Sequence, residues 1–292
     1  MRYRRRHSRA LLAVVLTAVL GAAGCGGSGD KSPAPGGTKA RTVPVWNRSP
    51  ASVAAVGDSI TRGFDACTVL SDCPEVSWAT GTSTDLDSLA VRLLGRTEAA
   101  ESSWNYAVTG ARMRDLADQM KQAATHAPEL VTVMIGANDA CRATTSAMTS
   151  VTRFRAGFEE AMATLRKALP KTQVYVASVP NLKRLWSQGR TNPLGKQVWK
   201  LGICPSMLGD ADDLDTAATV RRDTVQQRVE DYNKVLAQVC AKDRRCRFDG
   251  GAVFDYDFTT EQLSHWDWFH PSTDGQQRLA AIAYRTVTSR TP

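Results

Sequence analysis

The sequence predicts an α/β fold in which helices cover both faces of a parallel sheet. Three short apolar runs rich in β-branched residues lie between Gly, Pro and Asn signals, as buried strands do: ASVAAV (51–56), ELVTVMI (129–135) and TQVYVASV (172–179). SSWNYAV (102–108) and CRFDG (246–250) are two weaker strand candidates. Helical patterns lie among these runs, and such alternation is typical of a parallel sheet whose ligand sites collect at the carboxyl ends of the strands.

Three helices are predicted from apolar residues spaced three and four positions apart. The first covers 151–169 and is stopped by Pro170, and the second covers 225–240. The third covers 274–287, with Asp274 as its predicted N-cap. Together with the strands, these helices predict one domain.

The N-terminal part of the chain has the order of an export signal. Residues 1–24 combine a basic segment, a ten-residue apolar run and a small-residue cleavage zone. Ala-Ala-Gly-Cys resembles a bacterial lipobox, in which Cys25 becomes the lipidated N-terminus. Residues 25–49 are rich in Gly, Ser and Pro and are predicted to be a flexible tether to a domain of residues 50–292. We therefore expect an exported protein, lipid-anchored to the outer face of the cell membrane or secreted.

The basic charge of the chain comes mostly from this signal. Residues 1–24 contain five arginines and no acidic residue, so their removal leaves 32 basic against 29 acidic residues and lowers the net charge from +8 to +3. No basic stripe with interleaved aromatic residues remains to indicate nucleic-acid binding.

Cysteine usage indicates the same compartment. Six of the seven cysteines follow Cys25, and an even number in an exported chain implies disulfides, although six cysteines allow 15 connectivities. None of the six has the close spacing of a zinc knuckle. The predicted pairs are the short loops Cys67–Cys73 and Cys240–Cys246, which leaves Cys141 with Cys204.

Five residues at strand ends and in a late loop have the chemistry of acyl transfer. Ser59 follows the first strand and is a candidate nucleophile, which needs a base to take its proton. His270 is the candidate base, and Asp267, three residues earlier, is the candidate that orients it. The backbone N–H groups of Ser59 and Gly110 and the side-chain amide of Asn138 are the candidate donors for an oxyanion.

These residues lie in four blocks that resemble those of the SGNH hydrolases, also called GDSL esterases and lipases. The blocks are GDSIT with Ser59, NYAVTGA with Gly110, GAND with Asn138, and DWFH with Asp267 and His270. The resemblance implies a flavodoxin-like α/β/α sandwich around a central parallel sheet. It also implies ester hydrolysis by a Ser-His-Asp triad, with no metal and no other cofactor.

A finer resemblance is to the phospholipase B-like branch of that family. It is carried by VSWATGT (76–82), NYAVTGARMRDL (105–116), LVTVMIGANDAC (130–141) and the later ICPSML, which holds Cys204. This likeness favours lipid and phospholipid esters over sugar acetates as substrates.

Some polar residues near the blocks have alternative interpretations. Asp58 and Asp139 are interpreted as turn formers that bond backbone N–H groups. His265, Asp267 and His270 together are a possible set of metal ligands, but no further His/Asp cluster in the sequence completes it.

The segment 182–219 has no clear period and carries Trp186 and Trp199. One interpretation is a long loop that is held in place by a disulfide at Cys204. The other is that the segment forms a wall or a lid for an acyl chain.

The function hypothesis is a monomeric serine ester hydrolase that forms an acyl-enzyme on Ser59. Its substrates are carboxylic esters, either lipid, phospholipid or short acyl esters. The alternatives are a non-catalytic ligand-binding lipoprotein and a carbohydrate acetyl esterase with the same triad.

Overall fold

A fully parallel five-stranded sheet forms the centre of the protein. The computed structural model describes residues 45–290. The predicted signal (1–24), Cys25 and most of the predicted tether (25–49) lie outside the described residues.

The sheet has the strand order β2-β1-β3-β4-β5. Its strands are β1 (Val53–Gly57), β2 (Ser103–Asn105), β3 (Leu130–Met134), β4 (Gln173–Val176) and β5 (Cys246–Phe248). Each pair is parallel, and every residue of β1, β3 and β4 is buried, which explains their continuous apolar runs. All five predicted strands are confirmed, and the order is that of a flavodoxin-like sheet.

Helices form two groups that cover the sheet. In the described part of the chain they are α1 (Ser59–Arg62), α2 (Leu89–Leu94), α3 (Arg96–Ser102), α4 (Leu116–Ala124), α5 (Ala137–Ala140), α6 (Val151–Ala168), α7 (Leu182–Gly189), α8 (Pro193–Trp199), α9 (Pro205–Leu208), α10 (Thr216–Cys240) and α11 (Thr273–Thr288). Helix α6 packs against α4 and α10, whereas α11 packs against α2 and strands β4 and β5. The result is the predicted α/β sandwich.

The start of α11 differs from the prediction. Ser272, rather than Asp274, is the N-cap, because its hydroxyl accepts a hydrogen bond from the N–H of Gly275 at 3.2 Å. Asp274 lies in the first turn, where it accepts a hydrogen bond from Gln262 and pairs with Arg278. The N-cap of α11 therefore lies two residues before the predicted one.

The segment 182–219, which has no clear period of apolar residues, is helical rather than irregular. It contains α7, α8, α9 and the beginning of α10. Asn181 and Asn192 cap α7 and α8 through their side chains, and Pro193 and Pro205 occupy the first positions of α8 and α9. Caps and prolines define these short helices, so no long apolar repeat is needed.

The ordered domain begins before residue 50. Trp46, at the end of the predicted tether, is buried and donates a hydrogen bond from Nε1 to the carbonyl oxygen of Val287 at 2.8 Å. The guanidinium of Arg247 lies 4.4 Å from the centre of its ring. Trp46 thus packs the segment that precedes β1 against the C-terminal end of α11.

Three disulfides join the cysteines in the predicted pairs. Cys67–Cys73 and Cys240–Cys246 close short loops. Cys141–Cys204 links the residue after α5 to the residue before α9. This bond fixes the helical segment to the carboxyl edge of the sheet.

Candidate active site

The turn after β1 places Ser59 at the carboxyl edge of the sheet. Gly57 ends the strand at φ +150°, where a Cβ would lie 2.2 Å from the carbonyl oxygen of Met134, so the turn requires glycine. Asp58 is the N-cap of α1, and Ser59 is the first residue of that helix. The position lies where β1 is flanked by β2 and β3, the switch point at which open α/β sheets bind ligands.

Ser59, His270 and Asp267 form a continuous chain of hydrogen bonds. Ser59 Oγ lies 2.9 Å from His270 Nε2, and His270 Nδ1 lies 2.5 Å from Asp267 Oδ2. The other oxygen of Asp267 accepts hydrogen bonds from the N–H groups of Phe269 and His270, both at 2.9 Å. Trp199 Nε1 donates to the backbone carbonyl of Asp267 at 2.7 Å. These bonds hold the carboxylate in line with the imidazole.

The electrostatics of the pair favour an ionised Asp267. Burial acts to raise the pKa of Asp267, but the charge of His270 and three hydrogen bonds outweigh it and hold that pKa below its ordinary value. Burial acts to lower the pKa of His270. The charge of Asp267 and its hydrogen bond oppose this, with smaller effects from Asp65 and Asp58, and the pKa of His270 is raised.

The three predicted oxyanion donors lie in one cavity with Ser59 and His270. Within the described part of the chain, neither the backbone N–H of Ser59 nor that of Gly110 donates to a protein acceptor. Asn138 donates one amide hydrogen bond to the carbonyl oxygen of Ala111 at 3.1 Å, which leaves its second N–H for a ligand. Gly110 has φ +84°, and a Cβ there would meet no atom within 4 Å, so this glycine faces open space. The arrangement can bind a negatively charged oxygen.

The cavity has a volume of about 210 Å³ and a mixed lining. Its polar side chains are Ser59, Thr109, Asn138 and His270, all of which belong to the four sequence blocks. Its apolar residues include Leu182, Leu185, Ile203 and Phe269, which the sequence did not mark as site residues. Both tryptophans of the helical segment are buried and do not line the cavity. The segment thus supplies a wall through its aliphatic side chains.

Asp58 and Asp139 bond backbone groups, as the sequence indicates. Asp58 Oδ1 accepts from the N–H of Ile60 at 3.1 Å, and burial raises the pKa of Asp58 to about 7. Asp139 accepts from the N–H of Met113 at 2.8 Å and from the hydroxyl of Thr149 at 2.6 Å. Both acids shape the loops around the cavity.

Asp65 joins the triad without any signal in the sequence. One oxygen of Asp65, one oxygen of Asp267 and one ring nitrogen of His270 lie within 4.8 Å of one another. His265, the third member of the alternative metal-ligand set, instead packs against the ring of Trp266, with 4.3 Å between ring centres. Among the described residues, the set of His265, Asp267 and His270 is therefore not assembled.

Comparison with solved structures shows similar folds. A lipase from a goat rumen metagenome has a TM-score of 0.51 at 12% identity, with 82% of this chain and 98% of that chain covered. A family 3 carbohydrate esterase from Clostridium thermocellum has a TM-score of 0.48 at 15% identity, with coverage of 81% and 94%. At these identities the similarity concerns the fold. No curated protein matches the chain in sequence.

A protein-family model gives the more specific result. The model of the GDSL-like lipase/acylhydrolases matches residues 53–283, which include all four sequence blocks and nearly the whole described domain. The sheet order and the block positions agree with that match. The chain belongs to the GDSL-like lipase/acylhydrolase family.

Proposed function

We propose that the protein is a serine ester hydrolase with Ser59 as nucleophile, His270 as general base and acid, and Asp267 as the group that orients His270. One observation carries the proposal: the hydrogen-bond chain from Asp267 through His270 to Ser59 ends in a cavity lined by unpaired N–H donors. Each part of acyl transfer chemistry has a residue at a suitable distance.

Acylation follows from this arrangement. Ser59 Oγ attacks the ester carbonyl carbon while its proton moves to His270 Nε2, 2.9 Å away. The carbonyl oxygen becomes an oxyanion that accepts hydrogen bonds from Ser59, Gly110 and Asn138. The imidazolium then protonates the leaving alcohol oxygen, the carbon–oxygen bond breaks, and the acyl group remains on Ser59.

Deacylation uses the same groups with water as the nucleophile. His270 takes a proton from water as the water oxygen attacks the acyl carbon, and the second oxyanion occupies the same donors. Collapse of this intermediate expels Ser59 Oγ, which recovers its proton from His270. The products are a carboxylic acid and the free enzyme. In both steps Asp267 stabilises the imidazolium without taking its proton.

The apolar wall supports acyl esters as substrates. Leu182, Leu185 and Ile203 face the space beside Ser59. The cavity of about 210 Å³ is smaller than the pockets of about 300–1,000 Å³ that enclose drug-sized ligands, so we expect it to hold a short acyl chain or the first carbons of a long one beside these apolar side chains. This supports lipid, phospholipid or short acyl esters, including the phospholipase B-like substrates, over sugar acetates.

We also propose that the protein is exported through residues 1–24, anchored by a lipid on Cys25 and active as a monomer. The three disulfides support an oxidising compartment. Within residues 45–290, no helix is long and apolar enough to cross a membrane. The anchor is tested by metabolic labelling with a fatty-acid probe, which should label the parent and not Cys25→Ser.

The activity is tested with nitrophenyl esters of two to sixteen carbons. The protein, Ser59→Ala and Ser146→Ala are compared, because Ser146 is an exposed serine outside the cavity. We expect hydrolysis by the protein and by Ser146→Ala, with none by Ser59→Ala. Hydrolysis by Ser59→Ala at the parent rate would contradict the serine mechanism.

The same series separates the alternatives. A preference for acetyl esters, with sugar acetates cleaved faster than longer esters, would favour the carbohydrate acetyl esterase. Absence of hydrolysis by the folded, oxidised protein, with saturable binding of an ester, would favour the non-catalytic lipoprotein.

A further inference from the structure

We infer that Asp65 is a positioning residue of the catalytic machinery, a second carboxyl group that acts through Asp267 on the imidazole of His270. This inference rests on the proposed function of the same site. It assigns a role to a residue that none of the four sequence blocks contains and that does not line the cavity.

The placement of Asp65 is the first observation. Asp65 is 1% exposed and lies in the loop after α1, at φ +57°. Its Oδ1 accepts a hydrogen bond from the N–H of Leu70, and its backbone carbonyl accepts one from Ser264 Oγ at 2.6 Å. The second bond joins this loop to the loop that carries Asp267 and His270. The carboxyl group is thus held by the N–H of Leu70, and its loop is tied to the loop of Asp267 and His270 through the backbone.

The unpaired oxygen of Asp65 is the second observation. Asp65 Oδ2 is buried and has no hydrogen-bond partner among the described residues. A buried carboxylate oxygen without a partner is costly. Asp58 Oδ2 shares this property, so what distinguishes Asp65 is its position beside Asp267 and His270. One oxygen of the Asp65 carboxyl group, one oxygen of Asp267 and one ring nitrogen of His270 lie within 4.8 Å of one another.

The charges around the cluster give Asp65 an effect on the reaction. Burial, and then the charge of Asp267, raise the pKa of Asp65 to about 6, while the charge of His270 opposes this. The acidic groups that act on His270 are Asp267, Asp65 and Asp58. Above about pH 6, ionised Asp65 therefore adds negative potential behind the imidazole. That potential stabilises the imidazolium formed when Ser59 loses its proton.

Asp65→Asn is the informative variant. Asparagine tolerates a positive φ, keeps an oxygen for the N–H of Leu70 and resembles the protonated acid in shape. Asp257→Asn is the matched control, because Asp257 is an exposed acid away from the cavity. Ester hydrolysis by both variants and by the parent protein is measured from pH 5 to pH 8.

The expected result depends on pH. At pH 8, kcat/KM of Asp65→Asn falls about tenfold while KM stays within about twofold; at pH 5, where Asp65 of the parent is protonated, the two proteins agree within about twofold. The acid limb of the pH profile should move to lower pH. The charge of Asp65 helps to raise the pKa of His270, and this pKa falls when the charge is removed. Asp257→Asn keeps the parent profile.

Thermal unfolding distinguishes positioning from a structural role. An acid whose folded-state pKa is raised contributes stability below its ordinary pKa of 3.8, and that contribution is lost as pH rises through about 6. Asparagine does not ionise, so Asp65→Asn does not lose this stability as the pH rises. Its Tm at pH 8 should therefore be no lower than that of the parent. A uniform loss of activity at every pH with a lower Tm would overturn the inference.

A proton NMR titration of the His270 ring decides the inference independently of activity. The pKa of His270 should fall in Asp65→Asn and stay unchanged in Asp257→Asn. An unchanged His270 pKa in Asp65→Asn would overturn the inference. Were the parent to hydrolyse no ester, the proposed function would fail and this titration alone would decide whether Asp65 acts on the imidazole.

Discussion

The two sides of the cavity differ in origin and in role. One side consists of polar groups at the carboxyl ends of β1, β2 and β3 and in the loop before α11. The other consists of aliphatic side chains from the helical segment 182–219, fixed to the first side by Cys141–Cys204. The strand ends and the late loop supply hydrogen-bond donors and acceptors, whereas the segment supplies apolar surface. Reaction chemistry and acyl preference are therefore separable by mutation.

The largest effect is expected on the polar side, from Asp267→Asn. The oxygen of the asparagine would stay with the N–H groups of Phe269 and His270, so its NH2 group would donate to Nδ1 and favour the wrong tautomer. It also carries no charge to stabilise the imidazolium. We expect kcat to fall by ~10³–10⁴ with KM little changed. Asp257→Asn removes an exposed charge and serves as control. A loss of less than about tenfold would mean that Asp267 does not orient the base.

Removal of the Asn138 amide is the next largest change. Asn138→Ala deletes one oxyanion donor while Ser59 and Gly110 remain, so kcat should fall by ~10²–10³. Gln122→Ala, which removes an exposed amide from α4, should have no effect. Steady-state kinetics with one nitrophenyl ester measure both variants. A raised KM with an unchanged kcat would instead show that Asn138 contributes to substrate binding and not to transition-state stabilisation.

The pH profile tests the polar side without mutation. In the proposed mechanism His270 acts as a base only when it is neutral, and its pKa is raised above its ordinary value of 6.5 by Asp267, against the effect of burial. The acid limb of kcat/KM should therefore have a midpoint above 6.5, with a decline of about tenfold per pH unit below it. A midpoint below 6.5 would show that burial outweighs the carboxylate.

The apolar side should respond with smaller and more selective effects. Ile203→Phe narrows the cavity and Ile203→Ala widens it, so the preferred acyl length should shorten in the first and lengthen in the second. We expect ratios of kcat/KM between long and short esters to change about five- to tenfold, in opposite directions. Leu201→Ala alters an exposed neighbour that does not line the cavity and should keep the parent ratios.

If both Ile203 variants lost much activity on all esters alike, the division of roles between the polar and the apolar side of the cavity would be contradicted. That result would show that the helical segment also positions the reacting groups. Trp199 is the contact through which this would act, because its indole N–H bonds the carbonyl oxygen of Asp267.

The polar side could be predicted from the sequence because its residues lie in short blocks tied to strand ends. Ser59, Gly110 and Asn138 each follow an apolar run, and parallel strands bring their carboxyl ends to one edge. The five strands could be predicted for a related reason, since buried parallel strands are continuous apolar runs.

The apolar side and the second acid could not be predicted in this way. Leu182 and Ile203 are ordinary aliphatic residues in short helices defined by caps, so no period marks which of them face a cavity. Asp65 meets Asp267 only through the fold, and the loop that carries it contains no pattern for a site. The sequence pattern places Trp46 in the tether, because a single buried tryptophan leaves no periodic signal.

Capture of the acyl-enzyme tests the central claim most directly. The protein is treated with a fluorophosphonate, which forms a stable bond with an activated serine, and the modified peptide is identified by mass spectrometry. One adduct, on Ser59, with its rate of formation lowered in Asp267→Asn, is the result that we predict. Adduct formation at another serine, or at Ser59 with an equal rate in Asp267→Asn, would contradict a nucleophile activated by His270 and Asp267.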